Sequence, residues 1–489
     1  MAPIPALPFN PLTQLGLGGI PSRPFVLRQS RRWAVLLSAL LMAGCSAQAR
    51  LEGRAAAQRP LPPGIEVAFN HRPTSRYRSP ITGQWRQGDD LEALVLQSIE
   101  QAERQILVAV QELSLPRIAT ALVRKHRQGL DVRVVLENTY STPWSQQHPA
   151  GLSSHLRRRN AQLQQLGWGD AVLILQRGGV GLIDDTADGS AGSGLMHHKF
   201  MVIDGRMVVT GSANFTPSCI HGDPEDPRTR GNANHLLRLQ SPELAASFQA
   251  EFARLWGDGP GGLPNSRFGI GKEGGGVQTA SVSGTPVQVL FAPHRRSDPN
   301  QGLAWLEALL NSTNDSLDLN LFVFSAQNLA NRLQQLHARG VQIRLLADPG
   351  FANRSFSETL DLLGESLPDQ GCKLETSNRP WSRAIAAVGT PRLRPGDKLH
   401  HKVAVIDARR VITGSFNWSP SAAHQNDETL LVIDSPALAA HFSDEMNQLW
   451  RGAELGVTAR LQRKLEKQRL KCGSGSPRVA QAEGQPGAF

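Results

Sequence analysis

Two stretches of the chain carry the same reactive residue types at the same spacing. His197-His198-Lys199-Phe200-Met201-Val202-Ile203-Asp204 is followed by Gly211-Ser212-Ala213-Asn214, and His400-His401-Lys402-Val403-Ala404-Val405-Ile406-Asp407 by Gly414-Ser415-Phe416-Asn417. Each copy reads H-x-K-x4-D and then G-S-x-N, with 17 residues from His to Asn in both. A single H-x-K recurs by chance. Two copies with one internal spacing, set in a longer repeat, are a strong signal, and a repeat organises everything read after it.

On a strand, residues i and i+2 share a face. His197 and Lys199 therefore point one way and His198 the other, as do His400 and Lys402 against His401. Ile203-Asp204-Gly205-Arg206 and Ile406-Asp407-Ala408-Arg409 read as turns, and the returning strand brings Gly-Ser-x-Asn to the same end. Pairing the copies gives two imidazoles, two ammoniums and two amides around one centre, a set that suits a phosphodiester. Lys199 and Lys402 supply positive charge to the non-bridging oxygens. Asn214, Asn417, Ser212 and Ser415 are expected as directed donors, placed in advance of the charge that builds in the transition state. One histidine can attack phosphorus, while the other protonates the leaving oxygen and then activates water or an alcohol. The lysines do the electrostatic work, so no metal or other cofactor is expected, and no Asp/Glu cluster stands out to hold one.

The elements that must position these residues also run through twice. A short strand (65–70; 287–292) precedes a helix (91–104; 303–310), a buried strand (106–110; 317–324), a second helix (118–127; 329–338), a turn glycine (Gly129; Gly340) and another strand (132–136; 341–346). A variable segment leads to the His-x-Lys strand. After the Asn come a strand (236–239; 430–433) and a last helix opened by Ser241-Pro242 or Ser435-Pro436, a Ser cap with proline at the first helical position. Strands alternating with helices predict an α/β layered fold, here as two repeated α/β/α sandwich halves, 64–257 and 285–452, packed as a pseudo-dimer within one chain. The Gly-rich run 258–284 reads as the connection between them.

The duplicated motif, with its trailing G-S-x-N, resembles the phospholipase D superfamily, and the resemblance covers about residues 64–452. It implies a metal-independent phosphodiesterase working through a phosphohistidine, with His197, Lys199, Asn214, His400, Lys402 and Asn417 in one shared site. It also implies that Asp204 and Asp407 are structural. In the family a Glu or Gln after the motif accepts a hydrogen bond from the catalytic imidazole. Within each half that position is Glu428 for His400 and Asn234 for His197. A carboxylate neighbour raises a histidine pKa and an amide does not, so this pairing makes His400 the protonated general acid and His197 the neutral nucleophile. The insert 222–231 has no counterpart in the second half; it either overhangs the site or is a tolerated surface loop.

The chain has 489 residues, 40% apolar and 19% charged, which is globular composition. A formal net charge of +10 favours polyanionic partners, either an anionic membrane surface or nucleic acid. Arg28, Arg31 and Arg32, an apolar run over 33–42 and Ala43-Gly44-Cys45 read as an export signal (1–45), with Cys45 as a lipidation site. Residues 46–63 read as a tether holding a catalytic body at the periplasmic side of the cell envelope. Of Cys219, Cys372 and Cys472, at most one pair can form a disulfide. The segment 453–489 reads as a basic helix, solvated on its polar face, and a disordered tail. A lipid anchor favours a phospholipid substrate for a monomer with an internal pseudo-twofold. A non-specific endonuclease and a non-catalytic phosphate-ligand binder are the alternatives.

Overall fold

The structure is a computed structural model that describes residues 59–190, 194–272, 274–473 and 478–479. The expected export signal, Cys45 and most of the tether lie outside the described residues. Among those described, no helix is long and apolar enough to cross a membrane.

The first half forms a seven-stranded sheet. In chain order its strands are β1 (Ile65–Phe69), β2 (Gln105–Val110), β3 (Asp131–Leu136), β4 (Gly181–Asp184), β5 (Lys199–Ile203), β6 (Met207–Gly211) and β7 (His235–Gln240). Their spatial order is β1-β7-β6-β5-β2-β3-β4. The second half contributes β8 (Gln278–Val282), β9 (Thr285–Ala292), β10 (Ser316–Leu321), β11 (Gln342–Ala347), β12 (Val388–Thr390), β13 (Lys402–Ile406), β14 (Arg410–Gly414), β15 (Glu428–Asp434) and β16 (Glu454–Leu455). Without its two edge strands, that sheet reads β9-β15-β14-β13-β10-β11-β12, the same order again. The motif strands β5 and β13 sit centrally and are buried along their whole length, which is why their sequences are continuous apolar runs rather than alternating ones.

Each sheet carries two helices on its outer face: α1 (Leu91–Glu100) and α2 (Pro116–Arg127) in the first half, α6 (Gly302–Asn311) and α7 (Gln327–Ala338) in the second. The last helix of each half, α5 (Pro242–Trp256) or α8 (Pro436–Trp450), lies on the inner face. Ser241 and Ser435 cap them by accepting from Leu244 N and Leu438 N. These inner helices join the halves. Phe248 of α5 packs edge-on against Phe200 of its own sheet and Phe291 of the other half, both at 5.1 Å between ring centroids. Phe442 of α8 meets Phe69 of the first half at 5.0 Å. One apolar cluster therefore spans both halves, and each fully buried phenylalanine contributes roughly 1.5–3 kcal/mol to it.

Several boundaries differ from the sequence reading for physical reasons. The helix expected over 91–104 ends at Glu100, because the amides of Glu103, Arg104 and Gln105 turn to the Asp204 carboxylate. The strand expected to reach Phe324 ends at Leu321. The variable segment holds α3 (Ser154–Gln165) and α4 (Ala171–Arg177); α3 buries only Leu163, so it lacks the apolar stripe that betrays a helix. The Gly-rich connection is more than a link. Its end forms β8, folded onto β9 by a Ser283-Gly284 turn with φ of +48° and +88°, the twist a two-residue hairpin favours. The insert 222–231 is anchored: Arg230 N and Gly231 N donate to Asp397 of the second half, and Glu225 pairs with Arg159.

The C-terminal helix α9 (Ala459–Cys472) sinks Leu461 and Leu465 into the second-half core. It is closed by a Cys372–Cys472 disulfide across a separation of 100 residues, leaving Cys219 buried as a free thiol. Replacing Cys372 and Cys472 together by Ser should lower stability by about 2–4 kcal/mol, because so long a loop restricts the unfolded chain strongly. The urea midpoint reads this directly, and an unchanged midpoint would show that Leu461 and Leu465 hold the helix unaided.

Candidate active site

The halves exchange backbone hydrogen bonds at two places, just before each motif histidine. His197 N donates to Asp427 O at 3.0 Å, and Asp427 N to Leu195 O at 2.9 Å. On the other side of the pseudo-twofold, His400 N donates to Ala233 O at 3.0 Å, and Ala233 N to Lys398 O at 2.8 Å. Two buried carboxylates steady the crossings, Asp185 accepting from Met196 N and Asp348 from Leu399 N.

These crossings decide which residue serves which histidine, and they reverse the expected pairing. Glu428, one residue beyond Asp427, meets His197 of the opposite half, with Nδ1 to Oε2 at 2.8 Å. Asn234, one residue beyond Ala233, meets His400, with Nδ1 to Oδ1 at 3.0 Å. Each imidazole is thus held through Nδ1, leaving Nε2 for chemistry. The serines are also corrected. Ser212 donates to Asn234 Oδ1 at 2.8 Å and Ser415 to Glu428 Oε2 at 2.5 Å, so they brace the residues that orient the histidines and are not free for a phosphate. The glycine before each serine follows from close packing. A Cβ at Gly414 would come within 2.1 Å of Thr429 O, and at Gly211 within 2.4 Å of His235 O.

Lys199 Nζ donates to His197 O at 2.7 Å and Gln111 Oε1 at 3.2 Å. Lys402 Nζ donates to His400 O at 2.7 Å and lies over the Phe322 ring, 4.8 Å from its centroid. Gln111 and Phe322 are equivalent positions that the motif does not include. Neither lysine has an ion-pair partner among the described residues. Burial lowers Lys199 to about 8, and burial together with the charge of Lys199 lowers Lys402 well below its ordinary value. The same forces act on the histidines. Burial brings His197 down to about 4 against the opposing pull of Glu428, and His400 falls well below its ordinary range through burial, Lys402 and Lys199. The unliganded site is therefore short of negative charge. Asn214 Nδ2 donates to Gln111 Oε1, yet Asn214 and Asn417 each keep a buried Oδ1 without a partner, so both amides are open to a ligand.

The motif aspartates sit at the far ends of their strands. Asp204 accepts from Glu103, Arg104 and Gln105 N, and Asp407 from Asn314, Asp315 and Ser316 N. Both have positive φ, +52° and +51°. They fix the turns that close the motif strands.

One residue of this machinery has no signal in the sequence. Lys272, in the Gly-rich connection, is buried between Glu251 and Asp427, with its ammonium 2.8 Å from Asp427 and in contact with Glu251. Glu251 also meets His198 Nε2 at 3.0 Å, while His198 Nδ1 reaches Thr429 of the opposite half. His198, Glu251 and Asp427 form the group of metal-ligand side chains found among the described residues, and the Lys272 ammonium fills the cation position there. Burial would raise Glu251, but Lys272 and His198 hold it at about 2. Lys272 thereby clamps Asp427, the residue that delivers Glu428 to His197.

Comparison with known proteins adds a lineage to this geometry. A family model described as "Cardiolipin synthase, PLD-like domain" matches residues 95–256 and again 306–450. Human mitochondrial cardiolipin hydrolase is 31% identical over 145 residues, covering 30% of this chain and 49% of that protein. A phospholipase D of Rickettsia bellii is 28% identical over 160 residues, covering 33% of this chain and 67% of that protein. The chain spans about half the length of the first curated relatives it matches. Among solved structures, phosphatidylserine synthase of Haemophilus influenzae Rd KW20 superposes with a TM-score of 0.52 at 14% identity, over 85% of this chain and 95% of that one, a likeness of fold.

Lys272→Met should destabilise the protein by about 3–5 kcal/mol, since it removes the buried cation that Glu251 and Asp427 share. Adding Glu251→Gln and Asp427→Asn should restore part of that loss. Chemical denaturation of the single and triple variants checks both statements.

Proposed function

The chain belongs to the phospholipase D superfamily, and from that premise we propose that it is a metal-independent phosphodiesterase that hydrolyses, or transfers to an alcohol, the head group of a phospholipid. The observation that carries the reading is the pair of buried ammoniums, Lys199 and Lys402, with no ion-pair partner among the described residues. A phosphodiester anion seated between them supplies the missing charge and gains most from them as charge builds on its oxygens.

His197 is the nucleophile in this proposal. It is neutral at pH 7, and the Glu428 carboxylate at Nδ1 offsets the positive charge the ring acquires when Nε2 bonds to phosphorus. The expected role for His197 stays, but its reason changes, because the carboxylate supports the nucleophile and not the acid. His400, held by a neutral amide beside two lysines, is a strong acid once the bound phosphate lets it take a proton. In the first step His197 Nε2 bonds to phosphorus, the bond to the leaving oxygen breaks, and His400 gives that oxygen its proton. In the second, His400 Nε2 takes a proton from water or an alcohol, whose oxygen displaces His197 from phosphorus.

The choice of a lipid rests on the export segment with Cys45 and on relatives that carry cardiolipin hydrolase and phospholipase D as their names. The Cys372–Cys472 disulfide supports a location outside the reducing cytoplasm, and we place the protein at the periplasmic side of the envelope, anchored at Cys45.

Incubated in EDTA with mixed phospholipid vesicles, the protein should release head groups. His197→Ala and His400→Ala should each lower turnover by at least about 10²–10⁴-fold. Mapping of the reaction quenched and processed in alkali, where a phosphohistidine survives, should find the label on His197, and label on His400 would overturn the assignment. Cleavage of single- or double-stranded DNA without head-group release would make it a nuclease, and turnover of neither would leave a binding module. Because the lysines must be charged and Lys199 is lowered to about 8, kcat/KM should fall as pH rises, with a basic limb no higher than about pH 8.

A further inference from the structure

A second place in the molecule also gathers positive charge. A cavity of about 410 Å³ opens between the loop that follows β11, the strand-and-loop segment leading to His400 and the start of α9. A smaller one of about 270 Å³ adjoins it, sharing Pro349, Asn353, Arg460 and Leu461. Five cations line this groove: Arg354, Arg392, Arg394, Arg460 and Lys464. None forms an ion pair among the described residues, whereas Arg332, Arg344, Arg409 and Arg469 of the same half all take carboxylates. Arg354 Nε turns to Gly350 O, and Lys464 Nζ to Asn353 O.

Two carboxylates reach the lining, and neither is ion-paired with these five cations among the described residues. Asp397 accepts from Arg230 N and Gly231 N of the first half, and Glu454 lies on the exposed edge strand β16. The cations repel one another, and Arg354 and Arg460 both act to lower Lys464, beyond the effect of its burial. Such a cluster opposes folding unless something else requires it. Its wall is also rigid. Leu461 and Leu465 anchor α9 in the core and the Cys372–Cys472 bond closes its end, so Arg460 and Lys464, one turn apart, face the groove together. The loop that lines the groove also reaches the catalytic side: Phe351, in the same loop as Pro349 and Arg354, packs edge-on at 4.7 Å against Phe322, which lies 4.7 Å from the His400 ring.

We propose that this groove is a second phosphate site, which holds the phosphate of an anionic phospholipid head group and so seats the protein on an anionic membrane. The choice of a lipid as the source of that phosphate rests on the phospholipase reading; the demand for a phosphate rests on the groove alone.

The test uses the full chain carrying His197→Ala, so that lipid is bound and not turned over. Co-sedimentation is measured with phosphatidylcholine vesicles, with and without phosphatidic acid, at fixed ionic strength. Arg460→Glu with Lys464→Glu is compared with Arg463→Glu with Lys467→Glu, which makes the same charge change on the same helix outside the groove. The groove pair should weaken binding to the anionic vesicles at least about ten-fold, from roughly 1 kcal/mol per basic residue at such a surface, and the matched pair by less than about two-fold. Equal losses in both pairs would overturn the proposal in favour of diffuse charge. Calorimetry with inorganic phosphate adds the second arm. Tight binding of free phosphate, lost in the groove pair, without any preference for the anionic vesicles would overturn the lipid source. Turnover of a monomeric short-chain phospholipid is measured separately on the chain with its natural residues. Absence of turnover there defeats the phospholipase reading and leaves the vesicle comparison standing.

Discussion

Neither half of this chain can orient its own catalytic histidine. The backbone of each half closes on the other just before the motif, His197 on Asp427 and His400 on Ala233, and the next residue along each strand becomes the partner of the opposite imidazole. The rest of the site depends on those two crossings. They place Glu428 and Asn234, which Ser415 and Ser212 then brace from within their own halves. They also bring two lysines close enough for Lys199 to depress Lys402. The apolar layer of Phe248, Phe291, Phe69 and Phe442 keeps the crossings dry, where hydrogen bonds of this kind are strongest.

The same fold is built twice, but the displacement proposed for it gives its two histidines different roles. The chain introduces the difference at positions outside the duplicated motif. Glu428 faces Asn234 across the pseudo-twofold, and Gln111 faces Phe322. The first half gains a carboxylate and an amide around His197 and Lys199, and the second an amide and an aromatic face around His400 and Lys402. Because the strands are otherwise alike, these exchanges give the two histidines different surroundings on one shared frame.

How much of this could be read beforehand follows the range of the interactions. Strand, turn and returning strand around each motif are local, and the spacing from His197 to Asn214 is enough to place them. Periodicity says which face His197 and Lys199 share, but not which half that face will meet, so Glu428 was expected at His400 when it serves His197. Ser212 and Ser415 were expected to face a phosphate because their type fits one; only the packing shows where their hydroxyls go. Lys272 sits in a glycine-rich run with no periodicity, where a linker is the natural reading, and its partners Glu251 and Asp427 lie in separate elements. The disulfide remained open among three cysteines until Cys372 and Cys472 were brought together across 100 residues.

The central claim is the crossed support of the histidines, and imidazole NMR of the full chain tests it most directly. With 15N-labelled histidine at neutral pH, the Nδ1–H proton of His197 should resonate far downfield, as a donor to a buried carboxylate does. Glu428→Gln should move that resonance upfield and leave the His400 Nδ1–H nearly unchanged. A variant that shifts His400 and spares His197 would show that each half serves its own histidine, and would contradict the account.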